Sequence, residues 1–184
     1  DKDDPLETLP VEAMYDEAKG SLQGGHLGRA TRYYQRLTAR FPYGAYTEQS
    51  QLELAYAQYK AGDSEEASST IDRFIRTYPT HRNIDYAYYL KRDQGAPRQS
   101  FNDFADLIRR YPNSRYVPDA RQRMVHLRNL MARYEINIGK FYLRREAYVA
   151  AATRGQYVLE HYPQSMHDGD ALAMMATSYR ALGQ

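Results

Sequence analysis

The chain is 184 residues long, enough for one compact domain or one short repeat array that buries a core without covalent staples. It has no cysteine, which excludes disulfides, thiolate metal sites, iron–sulfur clusters and a cysteine nucleophile within these residues. Its 25 basic and 23 acidic residues leave a net charge of +2, too balanced for a dedicated nucleic-acid surface. Twenty of the basic residues are arginine, and 19 tyrosines stand beside no tryptophan. Both biases suit protein interfaces, because arginine grips carboxylates with a planar fork and tyrosine packs a ring while keeping a hydroxyl.

The opening Asp1-Lys2-Asp3-Asp4-Pro5 reads as a solvated tail that fits a mature or trimmed N-terminus. Helical patterns then follow at 10–23, 27–40, 47–61, 64–77, 83–92, 98–110, 118–145, 147–161 and 168–182. No sustained two-residue alternation and no Asn-Gly turn interrupts them, so no strand is expected. No apolar run approaches the ~18 residues of a membrane span; the longest is the six from Ala171 to Ala176.

Four aromatic–proline pairs punctuate this series: Phe41-Pro42, Tyr78-Pro79, Tyr111-Pro112 and Tyr162-Pro163. Each stops a helix, since proline lacks an N–H and pushes the preceding residue out of helical geometry. The prolines lie 37, 33 and 51 residues apart, so the first two intervals bracket the 34-residue tetratricopeptide period. Setting each proline at repeat position 32 puts Ala18, Ala30, Tyr34 and Leu37 at the packing positions of repeat 1. Repeat 2 supplies Ala55, Ala67, Ile71 and Phe74; repeat 3 supplies Tyr88, Ser100, Phe104 and Leu107; repeat 4 supplies Gly139, Ala151, Gly155 and Val158. Tyr88 is the poorest match. Gly24-Gly25, Ala61-Gly62-Asp63 and Asp93-Gln94-Gly95 are the expected turns inside helix pairs, with glycine ending one helix and a polar residue capping the next.

The expected fold is an all-α tetratricopeptide-repeat superhelix, an α-solenoid of four full helix pairs plus a half repeat. It is read as a single domain over 1–184, with repeats near 11–44, 45–80, 81–114, 115–165 and 166–184. The longer fourth repeat comes from 118–145, which has no proline after Pro118 and one glycine, and so reads as a 28-residue helix. After the single helix 168–182, Leu172, Met175, Ala176 and Tyr179 are expected to lack a partner helix.

Little in the sequence points to catalysis. The five histidines have no i,i+4 pair and no HExxH motif, and Gly24-Gly25-His26-Leu27-Gly28 follows a helix rather than the strand a phosphate loop needs. No metal, cofactor or enzymatic activity is expected. In a tetratricopeptide array, positions 2, 5, 9 and 12 of each first helix line the concave groove. Here these are Glu12, Tyr15, Lys19 and Leu22, then Gln49, Leu52, Tyr56 and Tyr59, then Arg82, Asp85, Tyr89 and Arg92. Such a lining suits an extended peptide with aromatic side chains or a free carboxylate. Tyr15, Leu52, Tyr56, Tyr59 and Tyr89 are therefore the candidate substrate-peptide residues.

Four strings are more specific than a generic repeat: Arg40-Phe41-Pro42-Tyr43-Gly44-Ala45-Tyr46, Ile71-Asp72-Arg73-Phe74-Ile75-Arg76, Pro79-Thr80-His81-Arg82-Asn83-Ile84-Asp85-Tyr86 and Tyr111-Pro112-Asn113-Ser114-Arg115-Tyr116. On these the chain, from 11 to about 182, resembles the BamD family, the outer-membrane β-barrel assembly lipoproteins of Gram-negative bacteria. The resemblance implies a non-enzymatic scaffold on the periplasmic face of the outer membrane, held there by an N-terminal lipid that this chain does not carry. It implies docking to the barrel-assembly subunit through that subunit's POTRA domains, contact with accessory assembly lipoproteins, and recognition of unfolded outer-membrane proteins. No nucleic acid is implied.

The resemblance also places the barrel-subunit interface at the end of the long helix, where Arg144 and Arg145 precede Glu146, with Tyr142 and Tyr148 beside them. Three departures from the family stand out, the first being the absence of the cysteine that carries the lipid. The segment after Tyr89-Leu90-Lys91 is shorter than usual, so Lys91, Arg92 and Asp93 are not expected to be contiguous in the native chain, and the second helix of repeat 5 is absent. The alternative is a tetratricopeptide peptide-binding adaptor or co-chaperone not attached to a membrane.

Overall fold

The computed structural model describes residues 5–91 and 96–184, and the description below concerns these. Ten helices and no strand are found among them. They are α1 (Pro5–Thr8), α2 (Val11–Gln23), α3 (Leu27–Arg40), α4 (Ala45–Lys60), α5 (Ser64–Thr77), α6 (Ile84–Leu90), α7 (Pro97–Arg110), α8 (Val117–Arg144), α9 (Tyr148–His161) and α10 (Asp168–Ala181). The short α1 begins at Pro5, where the expected tail ends, and precedes the first expected helix. The other nine fall within about two residues of the expected spans.

The helices gather into two compact units, 1–94 and 95–184. In the first, α2 pairs with α3 and α4 with α5; α3 packs on α4, and α6 packs on α5. In the second, α7 packs on α8, α8 on α9, and α9 on α10, while α10 also touches α8. This is the helix-pair stacking of tetratricopeptide repeats, in which each repeat buries its apolar face against its neighbours.

The proposed packing positions form the core. Ala18, Ala30, Tyr34 and Leu37 are wholly buried, and Ala55, Ala67, Ile71 and Phe74 nearly so. Ser100, Phe104, Leu107, Gly139, Ala151, Gly155 and Val158 are buried as well. Tyr88 is half-buried, and its neighbour Ala87 takes the core position. Truncating one of the large members, such as Phe74, to alanine would cost about 3–5 kcal/mol.

The aromatic–proline pairs end their helices in one way. The N–H of Phe41, Tyr78, Tyr111 and Tyr162 donates to the carbonyl of Leu37, Phe74, Leu107 and Val158, at 2.8–2.9 Å. Each acceptor is a buried core residue, so the last hydrogen bond of the helix is tied to its best-packed side chain. Proline follows with no N–H to lose.

The turns inside helix pairs are equally regular. Gly25 and Gly62 adopt positive φ, and the next residues, His26 and Asp63, donate back to Ser21 and Gln58 at 2.8 and 2.9 Å. Glycine reaches this left-handed conformation without steric cost. The expected side-chain cap is not made: Asp63 precedes α5 with ψ 64°, and its side chain makes no cap hydrogen bond. Its backbone instead serves both helices, the N–H closing α4 and the carbonyl accepting from Ala67 at 2.9 Å. The third expected turn, Asp93-Gln94-Gly95, the groove residue Arg92 and the expected break at Lys91–Asp93 involve residues outside the described ones.

Two glycines explain the tight fit of α8, α9 and α10. A Cβ on Gly139 would lie 2.2 Å from Met174 Sδ, and one on Gly155 would lie 2.8 Å from the Ala171 carbonyl oxygen. On α10, Leu172 is 56% exposed, Ala176 is exposed, and Met175 and Tyr179 are half-buried.

Candidate functional site

Tyr15, a groove candidate, and Tyr34, a core residue, are held by a polar network centred on Glu53. The Tyr15 hydroxyl donates to Glu53 Oε1 at 3.0 Å, and the Tyr34 hydroxyl donates to Oε2 at 2.9 Å. Gln49, one turn earlier on α4, approaches the same carboxylate at 3.5 Å and accepts from the Asn83 amide at 3.3 Å, just before α6. One helix thus links residues of repeats 1, 2 and 3. Burial, then the adjoining Glu53 carboxylate, raises both phenols well above the ordinary tyrosine range.

The structure distributes the five groove candidates unevenly. Tyr15 is half-buried, its ring meeting Tyr34 at 6.4 Å and Tyr46 at 5.3 Å, with the Lys19 ammonium 5.8 Å from its centroid. Tyr56 is half-buried with Lys60 over its ring at 5.8 Å, and Tyr59 is half-buried on the next turn. Tyr89 stacks on Tyr86 at 6.4 Å. Leu52 is 1% exposed and belongs to the core. A side chain with so little exposure has no surface for a ligand, so it supports the face without lining it.

Repeat spacing does not mark Glu53. The available signal is a carboxylate inside the otherwise apolar run Leu52-Glu53-Leu54-Ala55; its tyrosine partners lie 38 and 19 residues away.

At the end of α8, Arg144 and Arg145 are both exposed, and the Arg145 guanidinium lies 4.8 Å from the Phe141 ring centroid. Tyr142 lies one residue after Phe141 on α8. It is half-buried and packs with Leu143 against the core of Ala132, Ile136 and Val158. Phe141, one residue earlier, is 44% exposed and carries the outward apolar surface. The reason is helical phase: one residue turns the side chain by about 100°. Tyr148 begins α9 half-buried, and Val149 beside it is 67% exposed.

Glu146 makes the turn between them at φ 59°. Its N–H donates to Leu143, and that of Ala147 donates to Tyr142, the bonds that Gly25–His26 and Gly62–Asp63 make in repeats 1 and 2. Deeper in this unit, Arg154 bonds Glu135 at 2.7 Å, and that contact raises the guanidinium above its ordinary range.

Among the described residues no group of three histidine, aspartate or glutamate side chains is placed to hold a metal. No described helix is long and apolar enough to cross a membrane.

The profile of the YfiO family, described as outer membrane lipoprotein, matches residues 7–184. The chain belongs to the YfiO/BamD family. The outer membrane protein assembly factor BamD of Xylella fastidiosa strain 9a5c is 47% identical over 197 positions, covering 95% of this chain and 68% of the relative. BamD of Vibrio cholerae is 36% identical over 202 positions, covering 98% and 84%. Since 95% of 184 residues is about 175, the Xylella alignment opens about 22 positions that this chain leaves empty. Among solved structures, the TPR2AB domain of yeast Sti1 in its pHSP90 complex superposes with a TM-score of 0.59. It covers 94% of this chain and 70% of that one at 13% identity, a likeness of fold alone.

Proposed function

We propose that this chain is a non-enzymatic scaffold of outer-membrane protein assembly, working at the periplasmic face of the outer membrane. The observation that carries the proposal is the 47% identity to the Xylella assembly factor across 95% of the chain. A scaffold needs side chains that grip other proteins rather than a cluster of titratable groups, and arginine and tyrosine supply them.

Two surfaces divide the work in this proposal. The half-buried Tyr15, Tyr56, Tyr59 and Tyr89 offer rings and, at Lys19 and Lys60, neighbouring cations to an unfolded outer-membrane protein segment. Arg144, Arg145, Tyr142 and Tyr148, with the exposed Phe141 beside them, offer a cationic and aromatic patch to the POTRA domains of the barrel subunit. Accessory lipoproteins bind elsewhere on the array, and an N-terminal lipid outside these residues supplies the membrane attachment.

The test is a chimera. The matching residues of the Xylella factor are replaced by this chain, and the native copy is depleted. Sustained outer-membrane protein assembly is the expected result. A folded, exported chimera that fails to assemble barrels would count against the proposal.

A further inference from the structure

Between α7 and α8 lies a groove of about 480 Å³ that the two surfaces above do not use. Its floor is apolar: Ala105 and Ile108 from α7, Met124 and Val125 from α8. Val125 is 53% exposed, and the other three are half-buried. Arg109, Arg121 and Arg128 form the rim.

The rim charges differ in what holds them. Arg109 pairs with Asp106 at 2.6 Å and sits in the last turn of α7, where a cation is favoured by the helix dipole. Its presence therefore has a local cause. Arg121 and Arg128 have none of this kind. They lie on α8 beyond its first turn; the nearby Asp119 is paired with Arg123 at 2.9 Å, and Arg128 rests near the Phe101 ring at 5.9 Å. Neither has a carboxylate partner among the described residues. Residues 121, 124, 125 and 128 recur at i, i+3, i+4 and i+7, so they share one face of α8. The two guanidinium stems are thus about 10 Å apart along the helix, with Met124 and Val125 between them.

We propose that this groove docks an acidic amphipathic segment of a protein partner. Its two carboxylates would meet Arg121 and Arg128, and the apolar side chains between them would cover Met124, Val125 and Ile108. The spacing fits acidic residues seven apart on one face of a helix. A bilayer carrying anionic lipid would satisfy the charge but not the spacing. The lining also has none of the exposed aromatic residues that anchor proteins at a membrane interface. The proposal stands independently of the assembly role.

The experiment selects binders to the full chain from a displayed random peptide library with equal acidic and basic content, then measures recovered peptides by fluorescence anisotropy. Recovered sequences should carry two acidic residues seven apart around apolar residues. Arg121→Glu/Arg128→Glu should weaken them at least about tenfold, and Arg121→Gln/Arg128→Gln by less, with higher salt weakening the parent complex. Val125→Asp should weaken them as well. Circular dichroism confirms that each variant is folded. The proposal is overturned if recovered peptides lack acidic enrichment, if the folded double variants bind unchanged, or if phosphatidylglycerol vesicles bind at these arginines while the peptides do not.

Discussion

The hydroxyl of the wholly buried Tyr34 donates to Glu53 at 2.9 Å, and Tyr15 occupies the other oxygen of the same carboxylate. One side chain of α4 therefore satisfies α2 and α3 together. Glu53→Ala removes both acceptors and strands a phenol that no water reaches. A loss of about 2–3 kcal/mol is expected in urea unfolding followed by circular dichroism. Glu53→Gln, which keeps one carbonyl acceptor, should lose less. Equal stability of Glu53→Ala and the parent would show that the network adds nothing.

The same pair makes the fold alkali-sensitive. Burial first, and then Glu53, raises Tyr34 and Tyr15 above the value they hold in an unfolded chain. The folded state then keeps protons that the unfolded state releases. The associated stability is complete below the unfolded pKa of about 10 and is lost as pH rises above it. Melting temperature should fall as pH rises from about 10 upward. Tyr34→Phe, although less stable at neutral pH, should show a shallower fall over that range. A slope identical to the parent's would remove Tyr34 as its source.

Glu146 stands at a left-handed turn position that glycine fills at Gly25 and Gly62. A side chain there crowds the following carbonyl, at roughly 1 kcal/mol or more. Glu146→Gly should stabilise the chain by about 0.5–1 kcal/mol, after the extra freedom glycine gives the unfolded state is subtracted. An unchanged or lower urea midpoint would mean that Glu146 is held by interactions beyond the backbone turn.

Gly155 and Gly139 are both interior helical glycines, yet they should respond differently to alanine. At Gly155 the new Cβ meets the Ala171 carbonyl oxygen at 2.8 Å, and backbone must move. At Gly139 it meets the end of the Met174 side chain, which has other rotamers. Gly155→Ala should cost about 1–3 kcal/mol. Gly139→Ala should cost less, helped by the better helix propensity of alanine. The reverse order in thermal melts would contradict this account of α9–α10 packing.

The repeat fold was legible because its determinants are local and periodic. Aromatic–proline stops, turn glycines and small residues at fixed positions each act within one helix pair, and fifteen of the sixteen proposed packing residues are buried. Tyr88 failed because α6 runs only from Ile84 to Leu90, leaving too little helix to set its phase against the period. The sites were less legible. Leu52 has the groove position but faces the core, and at the end of α8 the more exposed ring is Phe141 rather than Tyr142. Composition at a repeat position does not set rotation about the helix axis. Glu53 depends on two tyrosines brought from distant helices, a relationship no spacing rule contains.

Arg145 offers the sharpest test of the docking surface. Its guanidinium is exposed, follows the last residue of a 28-residue helix and lies over Phe141. The helix C-terminus favours a cation there whatever the function, so stability alone does not reveal a binding role. Charge reversal separates the two. If the site only closes α8, Arg145→Glu costs about 0.3–1 kcal/mol of stability and leaves partner binding intact. If Arg145 holds a carboxylate of the barrel subunit, the same change sets two negative charges against each other. Affinity for that subunit should then fall by about tenfold or more, with binding of an unfolded barrel peptide at Tyr56 and Tyr59 unaffected. Phe141→Ala should weaken the same complex without altering charge, because it removes the ring on which the guanidinium rests. Calorimetric titration of the barrel subunit's POTRA domains into the folded variants decides between the outcomes, and full affinity in Arg145→Glu would reduce this end of α8 to a capped helix.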